Sequence, residues 1–417
     1  MIFERVLIMV LVAVLAVQCA TYQNLMALSN PVDPTVPTET KPVEPEPTAP
    51  KETEPKEEEP IDPIDPHSAY AKTILDGMSL EEKIWQLFIV DIDQLTGVKS
   101  TTVSGDTTKN AIEKKPVGGV IYYADNLENR AQTVEMICKL QSYSRFELFI
   151  GVDEEGGDVT RLGGRSDFDV TDFGPMYDVG NTNEAYNVGE TLGKQLRELG
   201  FNLDFAPVAD VWTNEENQVI GKRAFSTEPD KAANMVRNCV GGFKEANLLC
   251  TLKHFPGHGD TKADSHKGSV SSEKTLDELQ KCELIPFRAG IDAGAPLVMM
   301  GHITLPNVAG AEEVPATLSK AIVTDLLRNE MGFQGLVVTD AMNMGAITDR
   351  YDPDEAAVLA IQAGVDLILM PDDLDKAFQG IQKAVENGDL SEERIDESVL
   401  RILETKLRYN IIKMPEV

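Results

Sequence analysis

From residue 68 onward the chain alternates between two textures. Short, unbroken apolar runs recur as "LFIVDI" from Leu87, "GGVIYY" from Gly118, "LFIGVD" from Leu148, "LDFAPV" from Leu203, "CTLKHF" from Cys250, "LVMMGH" from Leu297, "LVVTDA" from Leu336 and "DLILMP" from Asp366. Runs without polar alternation predict strands covered on both faces. Between them apolar residues are spaced as on helices: "NEAYNVGETLGKQLRELG" repeats near 3.6 residues and stops at Gly200, and "SLEEKIWQL" opens with Ser79 and Glu82 placed as a capping box. Strand and helix in eightfold alternation predict an α/β fold in which a parallel sheet closes into a (β/α)8 barrel of the TIM type, filling 68–417.

Polar residues interrupt this pattern at one recurring place. Asp153, Asp210, Lys253, His254, His302 and Asp340 each fall at or just past the C-terminal end of a predicted strand. In a barrel those ends share one face, the face on which active sites are built. These six residues, from five strand ends, are therefore expected to converge on one mouth.

Ahead of residue 68 the texture is different. Residues 31–66 contain eleven prolines and eleven Asp or Glu against three Lys, with few apolar side chains. Such a segment cannot bury enough surface to offset its ordering entropy, so 21–67 is expected to be a disordered, semi-extended stalk. Residues 1–20 carry one Arg and then twelve apolar residues from Val6 to Val17, the length of a signal-peptide core and short for a membrane span. Export is expected, with the protein extracellular or tethered to the outer face of a membrane through this segment alone. Cys19 stands where a lipoprotein carries its lipidated cysteine, although Gln18 replaces the usual small residue; a cleaved signal or a retained anchor are the alternatives.

Charge and cysteines narrow the classes. A formal net charge of −31 excludes nucleic acid as a partner, since phosphate binding needs a basic face. Cys138, Cys239, Cys250 and Cys282 show no zinc-type spacing and are expected to be mostly buried thiols rather than a disulfide framework.

Three runs carry chemistry. In "GVDEEGGDVTRL" a strand ends in Asp153, which can accept from vicinal hydroxyls, with Arg161 able to reach back over it. "KHFPGHGDTKADSH", Lys253 to His266, holds three of the five histidines in a loop marked by Pro and Gly. Its Asp264 and His266 share one face of an extended segment, and a carboxylate beside an imidazole makes a usable proton donor near neutral pH. In "GLVVTDAMNMGAI" an apolar strand ends in Asp340, a candidate nucleophile or electrostatic stabiliser, or else the N-cap of a following helix.

Together these runs resemble glycoside hydrolase family 3, in its β-N-acetylglucosaminidase branch, over nearly all of 70–410, and "KHFPGHGDT…DSH" is specific to that branch. The resemblance implies that Asp340 is the nucleophile and that His266, held by Asp264, is the general acid/base. It implies that Asp153, Arg161, Lys253, His254 and the Arg223 of "VIGKRAFS" bind the sugar at the non-reducing end. It also implies no cofactor and no metal, an N-acetylglucosamine-containing muropeptide or chitooligosaccharide as substrate, and a monomer. Water and phosphate both stay open as acceptors. One departure is visible: where the family commonly reads Glu-Gly-Gly-Arg, this chain has Asp158.

Two other readings compete. His254, His258, Asp260, Asp264 and His266 supply enough donors for a metal-dependent hydrolase. A stalked, exported protein that binds sugar without turning it over is the second.

Overall fold

The computed structural model describes residues 65–262 and 268–415. The signal segment, Cys19, nearly all of the stalk, and the loop residues Asp264 and His266 lie outside the described residues. A first helix, Pro66–Asp76, begins two residues before the boundary at 68. Proline fits at the start of a helix, where its missing N–H costs nothing, and Asp65 accepts from His67 N as the cap.

Each of the eight apolar runs forms a strand. They are β1 Phe88–Asp91, β2 Gly119–Ile121, β3 Phe149–Val152, β4 Leu203–Asp204, β5 Leu249–Phe255, β7 Leu297–Met300, β9 Leu336–Thr339 and β10 Ile368–Leu369. All pair in parallel in the order β10-β1-β2-β3-β4-β5-β7-β9, and a parallel bridge between Val338 and Leu367 joins the two ends. The sheet is thereby a barrel of the predicted kind. Its strands are buried almost without interruption, which is why they read as continuous apolar runs.

Helices cover the outside. Thr182–Leu199 connects β3 to β4 and ends at Gly200 in the left-handed region, as its sequence predicts; Leu80–Trp85 carries the Ser79–Glu82 capping box. Two short strands were not foreseen: β6 Val270–Ser271 and β8 Ile303–Thr304 pair in parallel in the loops after β5 and β7. Among the described residues no helix is long and apolar enough to cross a membrane.

The thiols only partly follow expectation. Cys239 and Cys250 are buried and Cys282 is half-buried, but Cys138 is exposed. On helix Arg130–Tyr143 the inward stripe is Thr133, Met136, Ile137 and Leu140, and Cys138 falls out of phase with it.

The N-terminal pole of the barrel is packed around buried polar groups. Asp366, fully buried just before β10, accepts from Ser398 Oγ at 2.7 Å, Val337 N at 3.0 Å and Arg401 at 2.9 Å, and pairs with Arg328. Nearby, the buried Lys406 Nζ donates to Gln86 Oε1 at 3.0 Å and lies 4.8 Å from the centre of the Phe149 ring.

Candidate active site

The opposite pole opens into a cavity of about 420 Å³, lined by Asp153, Glu155, Arg161, Arg223, Lys253, His254, His258 and Asp340, with Tyr123, Met299, Met344 and Met370 among its less polar walls. Four of the six strand-end residues reach it directly. Asp210 and His302 stand behind, each bonded to a residue that does.

A charged lattice forms one wall. Asp153, the residue after β3, accepts from Lys253 Nζ at 3.0 Å and faces Arg161 Nη2 at 3.4 Å. Lys253, 3 % exposed, also pairs with Glu155, which takes two parallel bonds from Arg223 at 2.7 and 2.8 Å. Burial alone would raise the Glu155 carboxyl, but Arg223 and Lys253 outweigh it and hold the group far below the usual carboxylate range. By the same exchange burial would lower the Lys253 ammonium, and Glu155 and Asp153 together raise it. Glu155, Arg223 and Lys253 thus hold one another charged beside a buried space.

The turn bringing Glu155 back to this wall needs its glycines. Gly156 has φ 90°, and a Cβ there would stand 2.8 Å from Gly174 O. Asp158 is exposed on the same turn, whose ends meet through Glu155 N to Val159 O at 2.9 Å, and it does not line the cavity. The family's usual arginine at this position is therefore replaced at the surface rather than inside the charged lattice.

Asp210 organises the second wall. It is fully buried, lies 2.8 Å from His254 Nδ1, and accepts from His258 N at 2.7 Å. Burial would raise its carboxyl, yet His254 and His258 bring it below the ordinary value. His254 Nε2 faces Arg223 Nη2 at 3.4 Å, joining this wall to the charged lattice. His258 Nδ1 lies 2.8 Å from Thr261 Oγ1; burial, with His254 beside it, lowers the ring's affinity for a proton. Asp260 accepts from Ser272 Oγ at 3.0 Å. Asp210 thus engages both His254 and His258 while Asp260 bonds Ser272, and among the described residues no three His, Cys, Asp or Glu gather at metal-binding distance.

The loop after β5 is clasped where it leaves the barrel. Asn217, 2 % exposed, donates to His258 O at 2.7 Å and accepts from Val219 N and Ile220 N at 3.0 Å each. Gly259 passes so close to the neighbouring chain that a Cβ would stand 1.9 Å from Val211 O.

Asp340 follows β9 directly and faces the cavity. It caps no helix: its Oδ1 accepts from Ala341 N at 2.8 Å, and the next helical turn starts at Gly345. Burial would raise its carboxyl, but His254, His302, the Ala341 N–H and Lys253 hold it below the ordinary value. An ionised carboxylate inside a cavity lined by hydrogen-bonding side chains can attack or stabilise an electrophilic carbon.

The structure thus brings Asp153, Arg161, Arg223, Lys253, His254 and Asp340 together. The sequence singled out neither Glu155 nor Asn217; Asp210 was expected at the mouth without a role, and His258 was named only as a donor in the competing metal reading. Glu155 had one available signal, its position two residues after Asp153, the same-face spacing of an extended segment.

Comparison with known proteins identifies the family. A model of the glycosyl hydrolase family 3 N-terminal domain matches residues 79–405. The chain is 34 % identical over 379 residues to Beta-hexosaminidase A of Pseudoalteromonas piscicida, covering 82 % of this chain and 63 % of that protein. It is 32 % identical over 299 residues to a Beta-hexosaminidase of Stenotrophomonas maltophilia, covering 69 % of this chain and 86 % of that one. The solved structure of a glycoside hydrolase family 3 beta-N-acetylglucosaminidase from Paenibacillus sp. str. FPU-7 superposes with a TM-score of 0.75 at 36 % identity, covering 82 % of this chain and 64 % of that one. The chain therefore spans just under two thirds of the Pseudoalteromonas and Paenibacillus proteins. With the family model running through β1 to β10 and all the charged walls of the cavity, the chain belongs to glycoside hydrolase family 3.

Proposed function

We propose that the protein is a retaining exo-β-N-acetylglucosaminidase that releases terminal N-acetylglucosamine through a covalent glycosyl-Asp340 intermediate. The observation that carries this reading is Asp340 itself, a carboxylate kept ionised at a strand end inside a cavity rich in hydroxyl-binding side chains. Asp153, Lys253, Arg161, Arg223 and His254 suit the hydroxyls of a terminal sugar, because the contacts they make with one another hold their donors and acceptors in fixed directions.

In the first step an Asp340 oxygen bonds to the anomeric carbon as the glycosidic C–O bond breaks, and the leaving oxygen takes a proton from His266. In the second, His266 removes a proton from water, whose oxygen bonds to the same carbon and releases the Asp340 carboxylate. Two inversions give net retention. Asp264 orients His266 and supports its charged form. Neither lies within the described residues; support comes from their motif, which follows the clasped His258–Thr261 segment.

Export fits wall-derived muropeptides as the substrate, and the names of the relatives fit N-acetylglucosamine as the released sugar. The reading is tested by proton NMR of an aryl N-acetyl-β-glucosaminide during turnover, followed by product analysis with a muropeptide and a chitobioside. The β-anomer should appear first, and activity should survive exhaustive chelation. The α-anomer appearing first, or loss of activity restored by a divalent metal, overturns it.

A further inference from the structure

His302 is buried behind Asp340, 1 % exposed, two residues past β7, and lines no part of the cavity. Its Nε2 lies 3.0 Å from Ala341 O, an atom that only accepts, so Nε2 carries a hydrogen and donates it. The other face of Ala341 is also in use, because its N–H donates to Asp340 Oδ1 at 2.8 Å. Ala341 is thus held on one side by His302 and holds Asp340 on the other. The Asp340 N–H, donating to Met300 O at 2.9 Å, ties the same point to β7.

The far side of the ring is built to keep this arrangement through a change of protonation. His302 Nδ1 lies 2.8 Å from the hydroxyl of Thr317, which is fully buried and within 3.0 Å of Gly301 O and 3.2 Å of Met300 O. A hydroxyl has one hydrogen to give. With the ring neutral, Thr317 donates to Nδ1; with the ring protonated, Nδ1–H donates to Thr317, which turns its own hydrogen to Gly301 O. In both states Nε2–H stays on Ala341 O.

We propose that His302 is a positioning residue for the nucleophile, a clamp acting through Ala341 that sets the angle at which the Asp340 carboxylate meets the anomeric carbon. The inference rests on Asp340 being the nucleophile. It predicts a loss in the bond-forming step without a loss in sugar binding, since His302 touches no sugar. A displacement of about 1 Å at a reacting atom costs about 100-fold in rate.

The test is the rate at which 5-fluoro-N-acetyl-β-glucosaminyl fluoride labels the enzyme, a reaction that forms the Asp340–C1 bond and expels fluoride. Mass spectrometry of wild type, His302→Leu, His302→Gln and Thr317→Val locates and times the label. Wild type should be labelled on Asp340. His302→Leu should be labelled about 100-fold more slowly, with the inhibition constant for N-acetylglucosamine unchanged. His302→Gln should recover at least about tenfold of that loss, because its amide N–H can reach the Ala341 carbonyl. Thr317→Val, nearly isosteric, should show an intermediate loss and serves if His302→Leu fails to fold. Labelling of His302→Leu or Thr317→Val at the wild-type rate overturns the clamp. So does a parallel loss of N-acetylglucosamine binding, or a failure of Gln to rescue a folded Leu variant. Wild type labelled elsewhere than Asp340 overturns instead the nucleophile reading on which the clamp rests.

Discussion

Replacing Glu155 by Gln removes one negative charge at the centre of the cavity wall and little volume. Glu155 is 2 % exposed, takes two bonds from Arg223 and pairs with Lys253. In the variant Lys253 keeps Asp153, 3.0 Å from its Nζ, and Arg223 keeps the weaker attraction of Asp210 and Asp153. Stripping one partner from a buried ion pair costs about 3–5 kcal/mol, because the remaining charge has lost its solvation and its partner together. The barrel unit runs from Pro63 to Val417; at about 2.1 cal/mol/K per residue its unfolding entropy is roughly 0.7 kcal/mol/K, so Tm should fall by about 4–7 °C near pH 7. The pH dependence has a definite sign. Glu155 is held below its ordinary value in the fold, so its contribution is complete above the unfolded value of about 4.3 and shrinks as pH falls, by up to about 1.4 kcal/mol per pH unit. Calorimetry of both proteins between pH 7 and 3 should show a gap in Tm that narrows on acidification. Equal melting temperatures at pH 7, or a gap that widens in acid, would refute this account of the charged wall.

Three further outcomes follow from the same geometry. Asp340→Asn should abolish turnover while N-acetylglucosamine still binds, measured by calorimetric titration; a variant with near-normal kcat contradicts the nucleophile role. His266→Ala should slow alkyl and natural glycosides far more than aryl glycosides with acidic leaving groups, which need little protonation, so equal losses on both count against a general acid. Lys406→Met should stabilise the protein. Burial pushes the Lys406 ammonium down to about 7 from 10.5, so the unfolded chain binds more protons between those values, and wild-type stability should rise with pH across that window. Below pH 7 the buried charge costs about 5 kcal/mol, of which leaving Gln86 Oε1 without its donor returns about 1–3. The variant should therefore melt higher than wild type at pH 6 and lose the alkaline rise; a lower Tm at pH 6 would contradict it.

How much of this could be read before folding depends on the range of each interaction. The barrel was readable because a strand buried on both faces leaves a local trace, an unbroken apolar run, and because a barrel places every strand's C-terminal end at the same pole. That rule alone put Asp153, Lys253, His254 and Asp340 in one mouth. The last run shows its limit. It opens on Asp366, yet the strand is only Ile368–Leu369, and Asp366 is an anchor at the opposite pole, held by Arg328, Ser398 and Arg401. An acidic residue at the start of an apolar run looks the same whether it caps, anchors or faces water. Cys138 fails for a related reason, since burial on a helix follows phase, and residue type was the wrong guide.

The histidine-rich loop shows what local reading cannot reach in principle. His254 and His258 stand four residues apart among Asp and Gly, a pattern that invites a metal, and their orientation is set by a residue remote in sequence. That residue is Asp210, 44 positions before His254 and 48 before His258, whose one carboxylate approaches the ring of the first and the backbone N–H of the second. Glu155 does the same for Arg223 and Lys253 across 68 residues or more. Each carboxylate takes two neighbours that look available in sequence and commits them to a fixed direction. Distances of that kind are set by how the barrel orders its strands: Asp210 lies beyond β4, and His254 is the next-to-last residue of β5, its hydrogen-bonded neighbour. Strand order therefore limits which charges meet: Asp210 beyond β4 finds His254 on the next strand, while Asp153 and Glu155 beyond β3 reach past β4 to Lys253 on β5. The pairing of Asp210, beyond β4, with His254 on β5 thus follows from the topology once eight parallel strands are granted, and the same adjacency of strands brings His302, beyond β7, to Ala341, beyond β9.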